Sequence, residues 1–365
     1  MKIGFYSPLP PARTGVAEYS LALKRALQRS DSVEVNATEA DVFLYHLGNN
    51  QLHLPIYKKA LETPGIVVLH DAVLQHFFLG SLDEERYTAE FAHNYGDWSR
   101  GFARTLWRDR SRSASDARYF EYPMLKRIAQ ASRAVIVHNP GAAALVRAHA
   151  PQTKIHEIPH LFDPPPPVTQ SETEALRTQL GVQPGAFLLG VFGHLRESKR
   201  LPAVLRATRN IPNVQLLVCG TFASPDLARA LEPELAGQKI IRVDYLADAH
   251  WWRHAACVDA CVNLRYPPAG ETSGIAIRLM GIGKPVIVSA GAETSHFPPG
   301  ACIPIETGHG EEDMLADVVC WLSRNRADAQ AIGERAAEYI GRVHAVDAVA
   351  NLYRKYLTEC LGRSA

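Results

Sequence analysis

Short apolar runs alternate with longer helix-periodic stretches along the chain: Val42 to Tyr45, Gly65 to Leu69 and Ala134 to Val137, then Phe187 to Phe192, Val214 to Cys219, Ala260 to Leu264 and Val286 to Ser289. Runs of this length, rich in valine, isoleucine and leucine, predict strands buried on both faces, the habit of parallel sheets covered by helices. The alternation therefore predicts an α/β protein. Leu161 to Gln170 contains four consecutive prolines, which block both helix and central strand and mark a boundary between two domains. Ser171 with Glu174 predicts a capping box opening a short helix that ends near Gly181. The tail from Ala327 to Leu361 reads as two helices broken near Gly341.

Composition narrows the class. The 365 residues suit two domains of ordinary size with a cleft between them. Lys plus Arg number 39 against 38 Asp plus Glu, so the charge balance gives no argument for a nucleic-acid partner. All six cysteines fall in the second half, none in a C-x-x-C, and most have apolar flanks, which fits core packing in a reduced, cytoplasmic compartment. Met1-Lys2 leads directly into the strand-like Ile3 to Tyr6, and no window approaches about 18 uninterrupted apolar residues. The expectation is a soluble protein, at most peripheral at the inner face of a cell membrane.

The richest chemistry follows the Ala260 run. Gly270 to Pro285 reads G-E-T-S-G-I-A-I-R-L-M-G-I-G-K-P: a carboxylate in a Pro/Gly turn, then Thr272 and Ser273 as caps for an apolar helical run from Ile275 to Ile282, closed by Gly283. A helix N-terminus offers N–H groups and partial positive charge to an anion, while Glu271 is placed to accept hydrogen bonds from hydroxyls. Phosphate plus hydroxyls describes a nucleotide-sugar.

Other strand-end turns carry weaker signals, since open α/β sheets bind ligands beyond the carboxyl ends of their strands. Ser7 to Tyr19 is a Pro-rich loop in which Gly15 opens a helix and admits close approach of a ligand. His70 and Asp71 end the Gly65 run, the imidazole placed to meet a sugar hydroxyl and Asp71 to orient the ring; a histidine satisfied within the core is the alternative. His46 and His138 follow other strands and carry the same pair of readings. Phe192 to Arg200, F-G-H-L-R-E-S-K-R, is basic where a phosphate needs neutralising, with Lys199 foremost and Arg196 and Arg200 beside it. Six arginines between Arg100 and Arg118, interleaved with Trp98, Phe102, Trp107 and Tyr119, suit either an anionic lipid or diphosphate acceptor or a solvated helix face. Trp251-Trp252 and Cys257/Cys261 read as core. No cysteine or histidine group has zinc spacing and no D-x-D triplet occurs, so no obligatory metal is expected.

In this order the motifs P-L-P-P-A-R-T-G-V-A-E-Y, Y-H-L-G-N-N, V-V-L-H-D, F-G-H-L-R-E-S-K-R and G-E-T-S-G make the chain resemble a retaining glycosyltransferase of family 4 over nearly its full length. The resemblance implies the GT-B architecture, two Rossmann-like parallel-sheet domains facing a central cleft. The acceptor-binding domain would be residues 1–162, the linker 163–176 and the donor-binding domain 177–343, with a helix over about 344–365 returning to the first domain. It also implies catalytic roles for His70, Glu271 and Lys199, and donor contacts from Gly15, Gly193, Arg196, Lys199, Thr272, Ser273 and Gly274. Arg13, Asp71 and His138 are assigned to the acceptor, a glycan or lipid-linked saccharide. No cofactor or metal is expected beyond the nucleotide-diphosphate sugar. Two positions depart from the family pattern: Leu279 replaces a glutamate that holds the ribose, and His194 an arginine of the phosphate loop. A scaffold that keeps the fold without transfer, or a GT-B sugar-nucleotide epimerase, are the alternatives.

Overall fold

The structure, a computed structural model, describes residues 1–362 apart from Arg13 and Gln238. It divides into two compact units. The first comprises Met1–Asp163, Pro267–Thr272 and the chain from Val343 onward; the second comprises Pro164–Tyr266 and Ser273–Arg342.

In the first unit, β1 (Lys2–Tyr6), β2 (Ser32–Val35), β3 (Val42–Leu47), β4 (Ile66–Leu69), β5 (Ala134–Val137) and β6 (Ile155–Glu157) form a parallel sheet in the order β2-β1-β3-β4-β5-β6. Strand alternation sends successive side chains to opposite faces. Leu44, Val68 and Ile136 meet Ile3, Tyr19, Leu23, Val349 and Tyr353 on one face. Tyr45, Val67, Leu69 and Val135 meet Tyr57, Phe77, Tyr87 and Phe91 on the other. Each such fully buried side chain contributes roughly 1.5–3 kcal/mol. The helix Val346–Cys360 belongs to this unit, joined to the helix Gly15–Leu27 by a 2.8 Å hydrogen bond between the Tyr19 and Tyr353 hydroxyls.

The second unit repeats the plan with β7 (Phe187–Phe192), β8 (Val214–Cys219), β9 (Ile240–Val243), β10 (Ala260–Asn263), β11 (Val286–Ser289) and β12 (Ile303–Ile305), parallel in the order β12-β11-β10-β7-β8-β9. All seven apolar runs are strands. Three local expectations change. The capping box is Thr169 with Glu172, two residues earlier than Ser171 with Glu174, and opens the helix Gln170–Gln179. The tail breaks at His344-Ala345, between the helices Arg326–Val343 and Val346–Cys360, because Phe162 bonds the backbone there on both sides; Gly341 lies inside a helix. Finally, Pro267–Thr272, placed by sequence in the second domain, packs with the first unit.

Two glycines shape the exits of β7 and β8. Gly193 and Gly220 have φ of +96° and +138°, and a Cβ on Gly220 would lie 2.0 Å from the Gly193 carbonyl oxygen. Gly220→Ala is expected to cost about 2–3 kcal/mol or more, from strain and contact together. The denaturation midpoint measures this; an unchanged midpoint would mean that the two exits separate at no cost.

Candidate active site

The parallel first sheet brings its carboxyl ends to one edge, and four of its strands deliver imidazoles there. His46 lies in β3, His70 follows β4, His138 follows β5 and His160 lies beyond β6. The Tyr19 ring fills the space among them, its centroid 4.8 Å from His70 and His160 and 5.2 Å from His138. His46 Nδ1 and His70 Nε2 are 3.0 Å apart and share a proton. His53 Nδ1 bonds the His46 carbonyl at 3.0 Å, and His138 Nδ1 the Ile158 carbonyl at 2.9 Å. The His70 and His138 ring centroids lie 5.1 Å apart, and both residues are buried. Asp71 accepts the Asn49 backbone N–H at 2.8 Å, and the His70 imidazole is hydrogen-bonded to that of His46.

The Y-H-L-G-N-N segment supports this edge. A Cβ on Gly48 would come within 2.9 Å of His53 Nε2 and 3.1 Å of Asp71 Oδ2. Asn49 Oδ1 accepts the Phe77 N–H at 2.8 Å, and Asn50 Oδ1 the Leu52 N–H at 3.0 Å. Nearby, Thr14 caps the helix that Gly15 opens, and the space where a Gly15 Cβ would point is open to 4 Å. Arg13 lies outside the described residues. Glu271 reaches this edge through its turn: the Ala72 N–H donates to the Ala269 carbonyl at 3.0 Å, and Glu271 Oε2 accepts the Ala269 N–H at 2.9 Å. His70, Asp71, His138, Glu271 and Thr272 therefore all belong to the first unit.

The second unit holds Gly193, Arg196, Lys199, Ser273 and Gly274. Lys199 ends a short 3-10 turn, Glu197–Lys199, and is only 5% exposed; its Nζ donates to the Phe192 carbonyl at 2.6 Å. A Cβ on Gly193 would lie 2.2 Å from Ile275 Cδ1 and 3.5 Å from Lys199 Nζ, so the loop backbone presses against the helix Gly274–Gly281. Ser273 caps that helix, its Oγ accepting the Ala276 N–H at 3.3 Å. Arg196 is exposed on the same loop, whereas the Arg200 guanidinium is engaged by buried Glu311 at 2.8 Å. Arg265, passed over by the sequence reading, donates to Ser273 Oγ at 3.4 Å and adds a cation beside the cap. Its signal was its position two residues after a buried strand. Leu279 is in the core at 1% exposure, and Arg278 stacks 4.0 Å from the ring centroids of both Trp251 and Trp252.

The arginine-rich segment resolves into two faces. Tyr119 is buried, and Phe102 and Trp107 pack on Phe91 and Tyr87. Arg100 pairs with Asp97, Arg118 with Asp116, and Arg110 lies over Trp107, while Trp98 stands 79% exposed.

Burial governs the imidazoles. It pushes His53 and His138 down to about 4, and holds His46 and His70 well below the ordinary value of 6.5, with neighbouring histidines adding to the effect on the latter two. Because the folded values lie below the unfolded one, the unfolded chain takes up protons first as pH falls. The stability is fully present above about 6.5 and lost as pH drops toward about 4, on the order of 3 kcal/mol for each of His53 and His138. Urea midpoints at about pH 7.5 and pH 5 should therefore differ clearly for the first unit. A flat profile would contradict a neutral buried cluster.

No family model and no curated protein matches the sequence. Solved structures match along nearly the whole chain. HepE of Anabaena in complex with UDP and glucose gives a TM-score of 0.66 at 15% identity, covering 98% of this chain and 100% of that one. Sucrose-phosphate synthase from Thermosynechococcus elongatus gives 0.68 at 16% identity, covering 98% and 99%. WaaG, a glycosyltransferase involved in lipopolysaccharide biosynthesis, gives 0.60 at 15% identity, covering 98% and 100%. Identities this low speak for architecture alone: the chain has the GT-B fold, with two Rossmann-like parallel-sheet units.

Proposed function

We propose that the protein is a retaining glycosyltransferase of the family 4 type, moving a sugar from a nucleotide-diphosphate sugar to a hydroxyl of a glycan or lipid-linked saccharide. The observation that carries this reading is the buried Lys199 ammonium at the end of β7, packed beside Gly193 and the loop that meets the capped helix Gly274–Gly281. Anion-binding groups fixed in advance at a sheet's carboxyl edge suit a departing diphosphate. HepE has also been solved with UDP-glucose, which supports a nucleotide-sugar as donor.

In this mechanism Lys199, Arg196 and the helix N-terminus at Ser273 and Gly274 meet the negative charge that grows on the diphosphate as the glycosidic bond breaks. Thr272 lends its backbone amide, Gly15 keeps space open at its own loop, and Glu271 accepts hydrogen bonds from hydroxyls of the transferred sugar. His70, neutral at physiological pH, contacts that sugar as a hydrogen-bonding group. Asp71 and His138 face the acceptor. As the resemblance to family 4 implies, the acceptor hydroxyl attacks from the face the diphosphate leaves, which retains configuration.

Thermal-shift screening with UDP-, GDP- and ADP-sugars tests donor binding. At a hundredfold excess over Kd a true donor stabilises by about 2.7 kcal/mol. A second reading, a GT-B binding protein without transfer, is favoured by Leu279, which puts an apolar core residue where the family pattern has a ribose carboxylate. Stabilisation by none of the sugars would select it.

A further inference from the structure

One buried amide joins two first-unit segments 131 residues apart. Asn139 follows β5 and is 2% exposed. Its Oδ1 accepts the Ala142 N–H at 2.8 Å, capping the helix Pro140–His149. Its Nδ2 donates to the Gly270 carbonyl at 3.1 Å and to Thr272 Oγ1 at 3.0 Å. The residues on both sides of Glu271 are therefore held by a single side chain. The end of β4 holds the same turn through the Ala72 N–H bond to the Ala269 carbonyl at 3.0 Å. Gly270 has φ of +70°, and a Cβ there would lie 2.6 Å from Ala72 Cβ, so only glycine lets the two backbones approach this closely.

We propose that Asn139 is a positioning residue: it clamps the turn 269–272 onto the ends of β4 and β5 and so fixes the direction of the Glu271 carboxylate. The proposal rests on the reading of Glu271 as the acceptor of hydrogen bonds from the donor sugar. The clamp and the helix cap use different atoms. The cap needs only an oxygen, whereas the clamp needs both N–H groups. Asn139→Asp keeps the first and replaces the second with an oxygen facing the Gly270 carbonyl.

The test compares wild type, Asn139→Asp and Thr272→Val by hydrogen exchange of the Gly270 to Ser273 amides, and by calorimetric titration with UDP-glucose and with UDP. In Asn139→Asp the turn amides should exchange about tenfold faster while β4 and the helix Pro140–His149 keep their protection. Affinity for UDP-glucose should fall by about tenfold and affinity for UDP by clearly less, through the Thr272 amide alone. Thr272→Val removes one of the two acceptors without entering the core and should shift both readouts the same way by less. A turn as protected as in wild type, or equal losses for UDP and UDP-glucose, would overturn the proposal. If wild type binds neither UDP-glucose nor UDP, the uridine donor is excluded, and the exchange data alone then decide whether the clamp exists.

Discussion

Replacing Lys199 with alanine is expected to slow sugar transfer by on the order of 10²-fold or more, the usual consequence of removing a fixed charge that meets a developing anion. The lysine is an expensive residue to bury, and its Nζ donates to the Phe192 carbonyl at 2.6 Å. Lys199→Met fills the same space without charge and separates electrostatics from packing. Both variants should lose turnover, while Lys199→Met, which keeps most of the packing, should melt closer to the wild-type temperature than Lys199→Ala. Near-wild-type turnover in Lys199→Met would remove Lys199 from the site.

Glu271→Ala should cost a similar factor, on the order of 10²-fold, through a different term. Its carboxylate accepts the Ala269 backbone N–H inside its own turn, so the turn depends partly on the same group that would hold sugar hydroxyls. Glu271→Gln keeps an oxygen acceptor for Ala269 and removes the negative charge. If the charge matters mainly in the transition state, Glu271→Gln lowers kcat and kcat/KM together, with donor affinity little changed. A rise in KM alone would make Glu271 a ground-state contact.

The central strands were legible because they are buried on both faces, which leaves a run such as Ala134 to Val137 with no polar side chain at all. The four strands that the pattern missed, β2, β6, β9 and β12, are the outermost strands of the two sheets. Edge strands are short and partly solvated, so Ser32–Val35 and Ile155–Glu157 carry polar residues and Ile303–Ile305 a proline. The capped helix after Glu271 was legible from Ser273 and Gly283, because caps are local chemistry. That the turn before it belongs to the first unit was not legible, since Asn139 and Ala72 reach it across long stretches of chain. Likewise the hydrogen bond between His46 and His70 could not be read, because only strand order places β3 beside β4.

The most direct measurement of the central claim is proton NMR of the protein incubated with UDP-glucose, and with the GDP- and ADP-sugars, with EDTA present and no acceptor. For an α-linked donor the account predicts slow, EDTA-insensitive cleavage in which the α-anomer of the free sugar appears first, since water takes the place of the acceptor on the face that the diphosphate leaves. First release of the β-anomer would contradict retention, and no cleavage of any of the sugars would contradict the assignment of a glycosyltransferase.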